Sequence, residues 1–286
     1  MELKLPASAS HIQNYIASTI TSMDEREAKN IAFLILEHLY GISRTDLLAA
    51  KELPELDALR LEEIIDRLNK NEPIQYIWEE TAFYGRVFKI KPGVLIPRPE
   101  TEELVDKIIK QNKGRKKLKI ADIGTGSGCI AITLAKELSK SEVFAIDISR
   151  PALSVTMANA VWNHANLQIK EYDILGKEAF IENEFDIIVS NPPYVKESEK
   201  ALMHKNVLDY EPALALFVED ADPLLFYRAI LEKGQTMLKK GGKYYFEINE
   251  SQGEELAELM KKYSCGNISI EKDINGKDRF AIAEMN

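Results

Sequence analysis

The stretch Asn191-Pro192-Pro193-Tyr194 combines residue types that can do one specific piece of chemistry together. Each proline fixes φ and removes a backbone donor. What remains is a rigid set of acceptors, the Asn191 side-chain oxygen and the Pro192 carbonyl. A primary amide or amino group has two N–H bonds to satisfy. Two fixed acceptors hold both and leave one face of the nitrogen open to an incoming group. An amide nitrogen is a poor nucleophile, because its lone pair is delocalised into the carbonyl. Alignment is the help it needs, and good alignment contributes about 7–11 kcal/mol. Tyr194 offers a π-face to cover a planar group. The competing reading is a Pro-Pro turn that closes a buried strand, with Asn191 as a turn residue.

A second constellation lies upstream. Asp122-Ile123-Gly124-Thr125-Gly126-Ser127-Gly128 follows a strand-like run and leads into a helix-like one. Glycines let the backbone turn sharply and let a ligand approach without a Cβ in the way. In an open α/β sheet, nucleotides sit at the carboxyl end of the first strand. A dinucleotide fingerprint would need glycine where Cys129 stands, and a P-loop would need Gly-Lys-Ser/Thr. Asp147 ends the next strand-like run, about twenty residues on, where an acid takes ribose hydroxyls. Each such bond to a charged acceptor contributes roughly 1.5–3 kcal/mol. The same carboxylate favours a cationic ligand. A plain strand-to-helix turn is the alternative for the loop, and a helix cap is the alternative for Asp147. Ser149 sits better for capping a helix that begins near Pro151.

These groups need elements to position them. Strands are expected at 118–123, 142–147, 167–172, 185–190 and 243–249, with helices at 128–138, 151–163, 223–239 and 252–263. That alternation predicts βαβ units and a mostly parallel sheet. The runs 267–273 and 279–284 flank Asn275-Gly276 and predict a terminal antiparallel hairpin. Upstream, Ala28, Ile31, Ala32, Ile35, Leu36 and Leu39 have helical spacing, as do Leu61, Ile64, Ile65 and Leu68. Asp24 and Glu27 form a capping-box pattern before the first of these, and Gly41 ends it. Residues 81–96 read as a hairpin with Lys91-Pro92-Gly93 as its turn. Pro97 and Pro99 then precede a helix over 100–111. The segment 196–222 is long for a connection and is expected to help cover the substrate, a solvated excursion being the alternative.

Composition narrows the function classes. At 286 residues, one large domain or a domain with a smaller companion is expected. A net charge of −9 speaks against coating nucleic acid, which needs many Lys and Arg on phosphates. The basic run Lys113–Lys119 sits between a helix and a strand and reads as a solvated turn. His11, His38, His164 and His204 are scattered without metal-ligand spacing, so no metal is expected. Cys129 and Cys265 form no CxxC pair, which fits a reducing cytoplasm. No apolar run reaches membrane-span length, and Met1–Ser10 lacks the pattern of a signal peptide.

The glycine spacing after an acid resembles motif I of class I methyltransferases. With Asn191–Tyr194, Pro97-Arg98-Pro99-Glu100-Thr101-Glu102, Glu211-Pro212-Ala213-Leu214, Gly276-Lys277-Asp278-Arg279 and Pro73-Ile74-Gln75-Tyr76-Ile77, the chain resembles the PrmC/HemK family over nearly its whole length. These are release-factor glutamine methyltransferases. The resemblance implies a Rossmann-like α/β methyltransferase domain over 98–286, with a mostly parallel seven-stranded sheet and the terminal hairpin. It implies a helical bundle over 1–78 that docks the substrate protein, and a β-hairpin linker over 79–97. It implies S-adenosyl-L-methionine as methyl donor, bound by Asp122, Gly124, Thr125, Gly126, Ser127, Gly128, Asp147, Ile148 and Asn191, and by Asp173 and Ile174 beside the adenine. Ile174 departs from several relatives, which look aromatic there. Asn191 and Pro192 would be the catalytic pair on the glutamine amide, and Asn191, Pro192, Pro193 and Tyr194 together would bind that substrate. The product would be N5-methylglutamine in the Gly-Gly-Gln loop of peptide-chain release factors. A cytoplasmic monomer with no direct nucleic-acid contact and no membrane is expected.

An N6-adenine methyltransferase acting on DNA or RNA needs the same grip on a planar NH₂, with the base flipped out. The acidic charge and the lack of a basic target-recognition domain stand against it. A cofactor-binding adapter without turnover fits poorly with an intact Asn191–Tyr194. A nicotinamide-dependent dehydrogenase fails at Cys129.

Overall fold

The computed structural model describes residues 7–53, 55–180 and 184–286. The reading of Met1–Ser10 therefore lies largely outside the described residues. The chain divides into two compact units, Met1–Trp78 and Glu79–Asn286.

The first unit holds helices α1 (Ala9–Thr19), α2 (Glu25–Tyr40), α3 (Arg44–Leu48), α4 (Ala58–Asn69) and α5 (Ile74–Trp78), with a short antiparallel pair β1 (Ala7–Ser8) and β2 (Glu52–Leu53). The Asp24 carboxylate accepts the Glu27 N–H at 2.9 Å and starts α2. Gly41, at φ 64°, ends it. Between these caps, Ala28, Ala32, Ile35 and Leu36 share one face at helical spacing. They meet Ile12 and Ile16 of α1 and Leu61, Ile64 and Leu68 of α4 in a single apolar core.

The second unit opens with a hairpin, β3 (Glu80–Phe83) and β4 (Arg86–Lys89). Its turn is not Lys91–Gly93 but Tyr84-Gly85, with Phe83 facing Arg86. Both turn residues have positive φ, 48° and 71°. A two-residue loop of that kind matches the twist of paired strands, and the conspicuous Lys-Pro-Gly signal masked it. Lys91–Gly93 makes a separate turn after the hairpin, where the Val94 N–H donates to the Lys91 carbonyl at 3.1 Å. Phe83 and Phe88 pack with Leu104, Val105 and Ile108 in the core of this unit.

Then follow α6 (Pro99–Asn112), β5 (Lys119–Ile123), α7 (Cys129–Glu137), β6 (Glu142–Asp147), α8 (Arg150–Trp162), β7 (Gln168–Glu171) and β8 (Phe185–Ser190). After β9 (Val195–Lys196), a 3₁₀ turn (Glu197–Leu202), α9 (Lys205–Tyr210), α10 (Ala213–Leu216) and β10 (Phe217–Val218) come α11 (Leu225–Met237), β11 (Leu238–Glu247), α12 (Gly253–Lys262), β12 (Cys265–Lys272) and β13 (Asp278–Met285). Seven strands form one sheet in the order β12-β13-β11-β8-β5-β6-β7. Only β13 runs antiparallel to its neighbours β11 and β12. The expected Rossmann-like sheet with its terminal hairpin is therefore present.

Buried on both faces, the central strands carry continuous apolar runs. On one face Ile120, Val143, Ile187 and Val189 pack against α6 and α7. On the other, Ala121, Phe144, Ile188 and Phe246 meet Tyr227 and Ile230 of α11 and Leu256 of α12. Strand β11 begins five residues before the expected 243. Its pairing with β8 is irregular between Leu238 and Lys243, a bulge that accommodates Gly241 and Gly242. The basic run before β5 is largely exposed, and Arg115 reaches the nearly buried Asp186 at 3.4 Å.

Candidate functional site

Strand β5 has β6 on one side and β8 on the other, so consecutive connections leave in opposite directions at its carboxyl end. Such a switch point opens a crevice. Ile123 pairs with Ser190 and with Ile146. The glycine loop, Asn191 and Asp147 therefore leave neighbouring strands at the same level.

The loop is tied down by its own backbone. The N–H groups of Gly124 and Thr125 donate to the Ile146 carbonyl at 2.8 and 3.0 Å. The Gly126 N–H donates to Asp147 Oδ2 at 2.9 Å, and Asp147 Oδ1 accepts the Ser149 N–H at 2.9 Å. Each carboxylate oxygen keeps a second lone pair for a ligand. Ser149 caps α8 through its hydroxyl, which accepts the Ala152 N–H at 3.3 Å. Thr156 donates to the Gly126 carbonyl at 2.9 Å. The buried Asn159 amide donates to the carbonyls of both Ser127 and Lys89 at 2.9 Å, while its oxygen accepts the Lys89 N–H at 2.6 Å. The hairpin is thus fastened to the glycine loop.

A single cavity runs across these groups. Gly124, Thr125, Gly126, Ser127, Asp147, Ile148, Asp173 and Ile174 line it, and so do Asn191, Pro192 and Pro193. Ile123, Ile146 and Tyr172 make it apolar next to Asp173 and Ile174. Further wall comes from residues to which the sequence assigned no site role, Leu95, Arg98, Thr101, Leu214, Ala215 and Phe226, with Thr101 next to Asn191. Arg98 is held by the buried Glu211, whose carboxylate accepts from the guanidinium at 2.6 Å and from the Ile96 N–H at 3.2 Å. The 196–222 segment is not a loose excursion, because β9 and β10 pair in parallel and close its two ends.

Three of the sequence candidates stand behind the wall. Asp122 is fully buried. Its Oδ2 accepts from the Thr125 hydroxyl at 2.6 Å and the Ala131 N–H at 3.1 Å, tying loop to helix. Gly128, at φ 81°, starts α7 where a Cβ would lie 2.9 Å from Thr156 Cγ2. The Tyr194 ring packs against the sheet core, and its hydroxyl donates to Glu247 Oε1 at 3.0 Å. In this structure Tyr194 anchors Glu247 and does not line the cavity, because its hydroxyl satisfies a buried carboxylate. Cys129 does line the cavity, but burial pushes its thiol up to about 12, so it is no nucleophile.

Burial pushes the Asp122 carboxyl up to about 7 against the two bonds that favour its charge. Its Oδ1 has no partner among the described residues. An acid whose folded-state pKa is raised takes up a proton on folding, so stability falls as pH rises from about 4 to about 7. The full deficit is present above that window. Asp122→Asn keeps an oxygen for Thr125 and Ala131 but cannot titrate. Denaturant melts of the ligand-free protein should show a shallower fall across this window, by up to about 1.4 kcal/mol per pH unit. An unchanged slope would exclude Asp122 as the source.

The site fits a nucleoside-bearing cation. Gly124 and Gly126 present bare backbone to the cavity, with nothing within 4 Å of where a Cβ would stand. Asp147 and Asp173 supply negative charge, and the isoleucines supply flat apolar walls.

The chain is similar to known proteins in sequence and in fold. A family profile described as "Methyltransferase small domain" matches residues 100–213, and one described as "PrmC N-terminal domain" matches residues 11–78. A release factor glutamine methyltransferase of Flavobacterium psychrophilum is 49% identical over 278 residues, covering 94% of this chain and 97% of its own. Its counterpart in Bacteroides thetaiotaomicron is 47% identical, covering 90% and 92%. Among solved structures, a methyltransferase from Pyrococcus furiosus aligns with a TM-score of 0.52 at 18% identity, over 77% of this chain and 96% of its own. The T. thermophilus 16S rRNA N2 G1207 methyltransferase, solved with AdoMet and guanosine, aligns at 0.51 and 18% over 72% and 50%. At such identities the structural likeness speaks for the fold.

Proposed function

The chain belongs to the release factor glutamine methyltransferases, and from that membership we propose how its cavity methylates the Gly-Gly-Gln glutamine of a peptide-chain release factor at N5. The carrying observation is the level pairing of Ile123 with Ser190, which puts the glycine loop and Asn191 on one crevice. S-adenosyl-L-methionine supplies a methyl group already activated on a sulfonium. Gly124–Ser127 cradle it, Asp147 takes its ribose hydroxyls, and Ile148, Asp173 and Ile174 flank the adenine. Asp122 and Gly128 serve cofactor binding from behind, by shaping the loop.

Asn191 Oδ1 and the Pro192 carbonyl accept the two N–H bonds of the glutamine amide. Pro193 keeps that turn rigid. Held this way, the nitrogen shows one face to the methyl group and is kept from rotating away. Leu95, Leu214 and Phe226 exclude water around it, and the Arg98–Glu211 pair fixes the wall they belong to. Transfer would break the methyl–sulfur bond, form the carbon–nitrogen bond and move the positive charge onto the amide. The amide would give up one of its two N–H protons on the side of Asn191 and Pro192 and pass it to water as the product leaves. The 1–78 unit docks the release factor, a reading supported by the family profile over 11–78. No helix among the described residues is long and apolar enough to cross a membrane. A cytoplasmic monomer is the working arrangement we propose, in keeping with its two free, buried cysteines.

Incubation with methyl-labelled cofactor tests the reading. Label should appear in a release factor, on the glutamine of Gly-Gly-Gln by mass spectrometry, and be absent when that residue is alanine. Label on DNA or RNA instead would overturn it.

A further inference from the structure

The Asn191 amide has two orientations, related by a half-turn, and only one presents an oxygen to the cavity. Side-chain amides cannot be oriented by shape alone, only by their hydrogen bonds. Asn191 Nδ2 lies 3.2 Å from Thr101 Oγ1. Thr101 Oγ1 in turn lies 2.6 Å from Glu247 Oε2. A hydroxyl has one proton to give. Burial pushes the Glu247 carboxyl above its ordinary range, while the Thr101 and Tyr194 hydroxyls and the nearby Arg279 favour its charged form. As a carboxylate it is acceptor-only, so it accepts the Thr101 hydroxyl proton, and Thr101 can offer Asn191 nothing but lone pairs. The NH₂ of Asn191 must then face Thr101, which turns Oδ1 the other way.

Both partners are deeply buried, Thr101 at 2% exposure and Glu247 at 1%. They come from different elements: Thr101 from the first turn of α6, Glu247 from the last position of β11. Phe246 pairs with Ser190, so Glu247 stands level with Asn191. Tyr194 occupies the other carboxylate oxygen at 3.0 Å, and the Tyr227 hydroxyl bonds the Glu247 carbonyl at 2.8 Å. Glu247 therefore has no freedom to swing away from Thr101.

We propose that Thr101, held as an acceptor by Glu247, is the positioning residue that orients the Asn191 amide and makes the site select an N–H donor over a carboxylate. This rests on the reading of Asn191 as the acceptor for the substrate amide. The relay carries no proton to the reaction. It decides which atom of Asn191 the substrate meets. With its anchor gone, the Asn191 amide turns freely and offers its NH₂ as often as its oxygen, so discrimination against glutamate falls to what the Pro192 carbonyl alone provides.

Thr101→Val keeps shape and removes the hydroxyl, whereas Thr101→Ser keeps the hydroxyl. The valine variant should lose about a hundredfold in kcat, with cofactor Kd within twofold of wild type. The sharper readout is selectivity. Release factor carrying Gly-Gly-Glu should compete poorly against Gly-Gly-Gln in wild type and in Thr101→Ser, and at least about tenfold better in Thr101→Val. A purely structural role would weaken both alike. If the valine variant does not fold, Glu247→Met also strips Thr101 of its acceptor and carries the same expectation. Undiminished kcat and selectivity in a folded variant of either kind, alongside an inactive Asn191→Ala, would overturn the relay alone. An active Asn191→Ala would instead remove the reading beneath it.

Discussion

Asn191→Ala should abolish methyl transfer while leaving cofactor affinity within a few-fold of wild type. Asn191 sits at the exit of β8, next to a Ser190 that pairs with the central strand. Among the described residues its side chain makes one hydrogen bond, to Thr101 at 3.2 Å. Removing it takes away one of two acceptors for the reacting amide. Loss of a single preorganised polar group in an active site typically costs about 10²–10³ in rate. Here the nitrogen also regains rotation, so part of the alignment worth about 7–11 kcal/mol goes as well. We expect kcat at least about 10³-fold lower, with the melting temperature unchanged. Binding of the cofactor by calorimetry, run beside single-turnover methylation, separates the two effects. Near-normal turnover would show that Pro192 and the cavity wall suffice.

Gly128→Ala should act in the opposite way, through the cofactor. At φ 81° an alanine pays the left-handed penalty of roughly 1–2 kcal/mol. Its methyl would also stand 2.9 Å from Thr156 Cγ2 and 3.1 Å from Ile132 Cδ1, both in packed surroundings. Overpacking of that kind costs typically about 1–3 kcal/mol. The strain falls on the loop, because Thr156 also bonds the Gly126 carbonyl. Cofactor Kd should rise about tenfold to a hundredfold, with a clear loss of thermal stability. Adding Thr156→Ser removes Cγ2 but keeps the hydroxyl, and should restore the steric share only. If the double variant binds no better than Gly128→Ala, the contact with Thr156 is not the cause.

The parts of this molecule that were legible in its sequence are those written in short spans. The glycine loop, Asp147 and Asn191-Pro192 each depend on a strand end and the few residues after it, and the alternation of strands and helices places those ends. Caps were legible for the same reason: Asp24 and Ser149 bond residues three positions on. The Thr101–Glu247 bond was not, because it spans 146 positions: Thr101 lay inside the Pro97–Glu102 motif, but nothing there pointed to a partner at the end of a distant strand. Arg98 and Glu211 belonged to recognisable motifs, but their pairing across 113 positions did not show there. The hairpin turn was misplaced because Lys91-Pro92-Gly93 is the stronger turn by composition. Register decides otherwise, since Phe83 and Phe88 must both point into the core. Tyr194 looked like a stacking group because an exposed ring is one. Only the fold reveals a buried carboxylate waiting for its hydroxyl.

Asn159 has a consequence for where the catalytic half can be cut. Its amide is wholly enclosed and spends three of its bonds on Lys89 and Ser127. A polypeptide trimmed to start at residue 98 would keep the sheet, yet strip two of those bonds and strand their polar atoms in a dry interior, which is expensive. The floor beneath the nucleoside would then sag. A catalytic piece cut near Glu79 keeps all three bonds, with its small ribbon still attached as a splint.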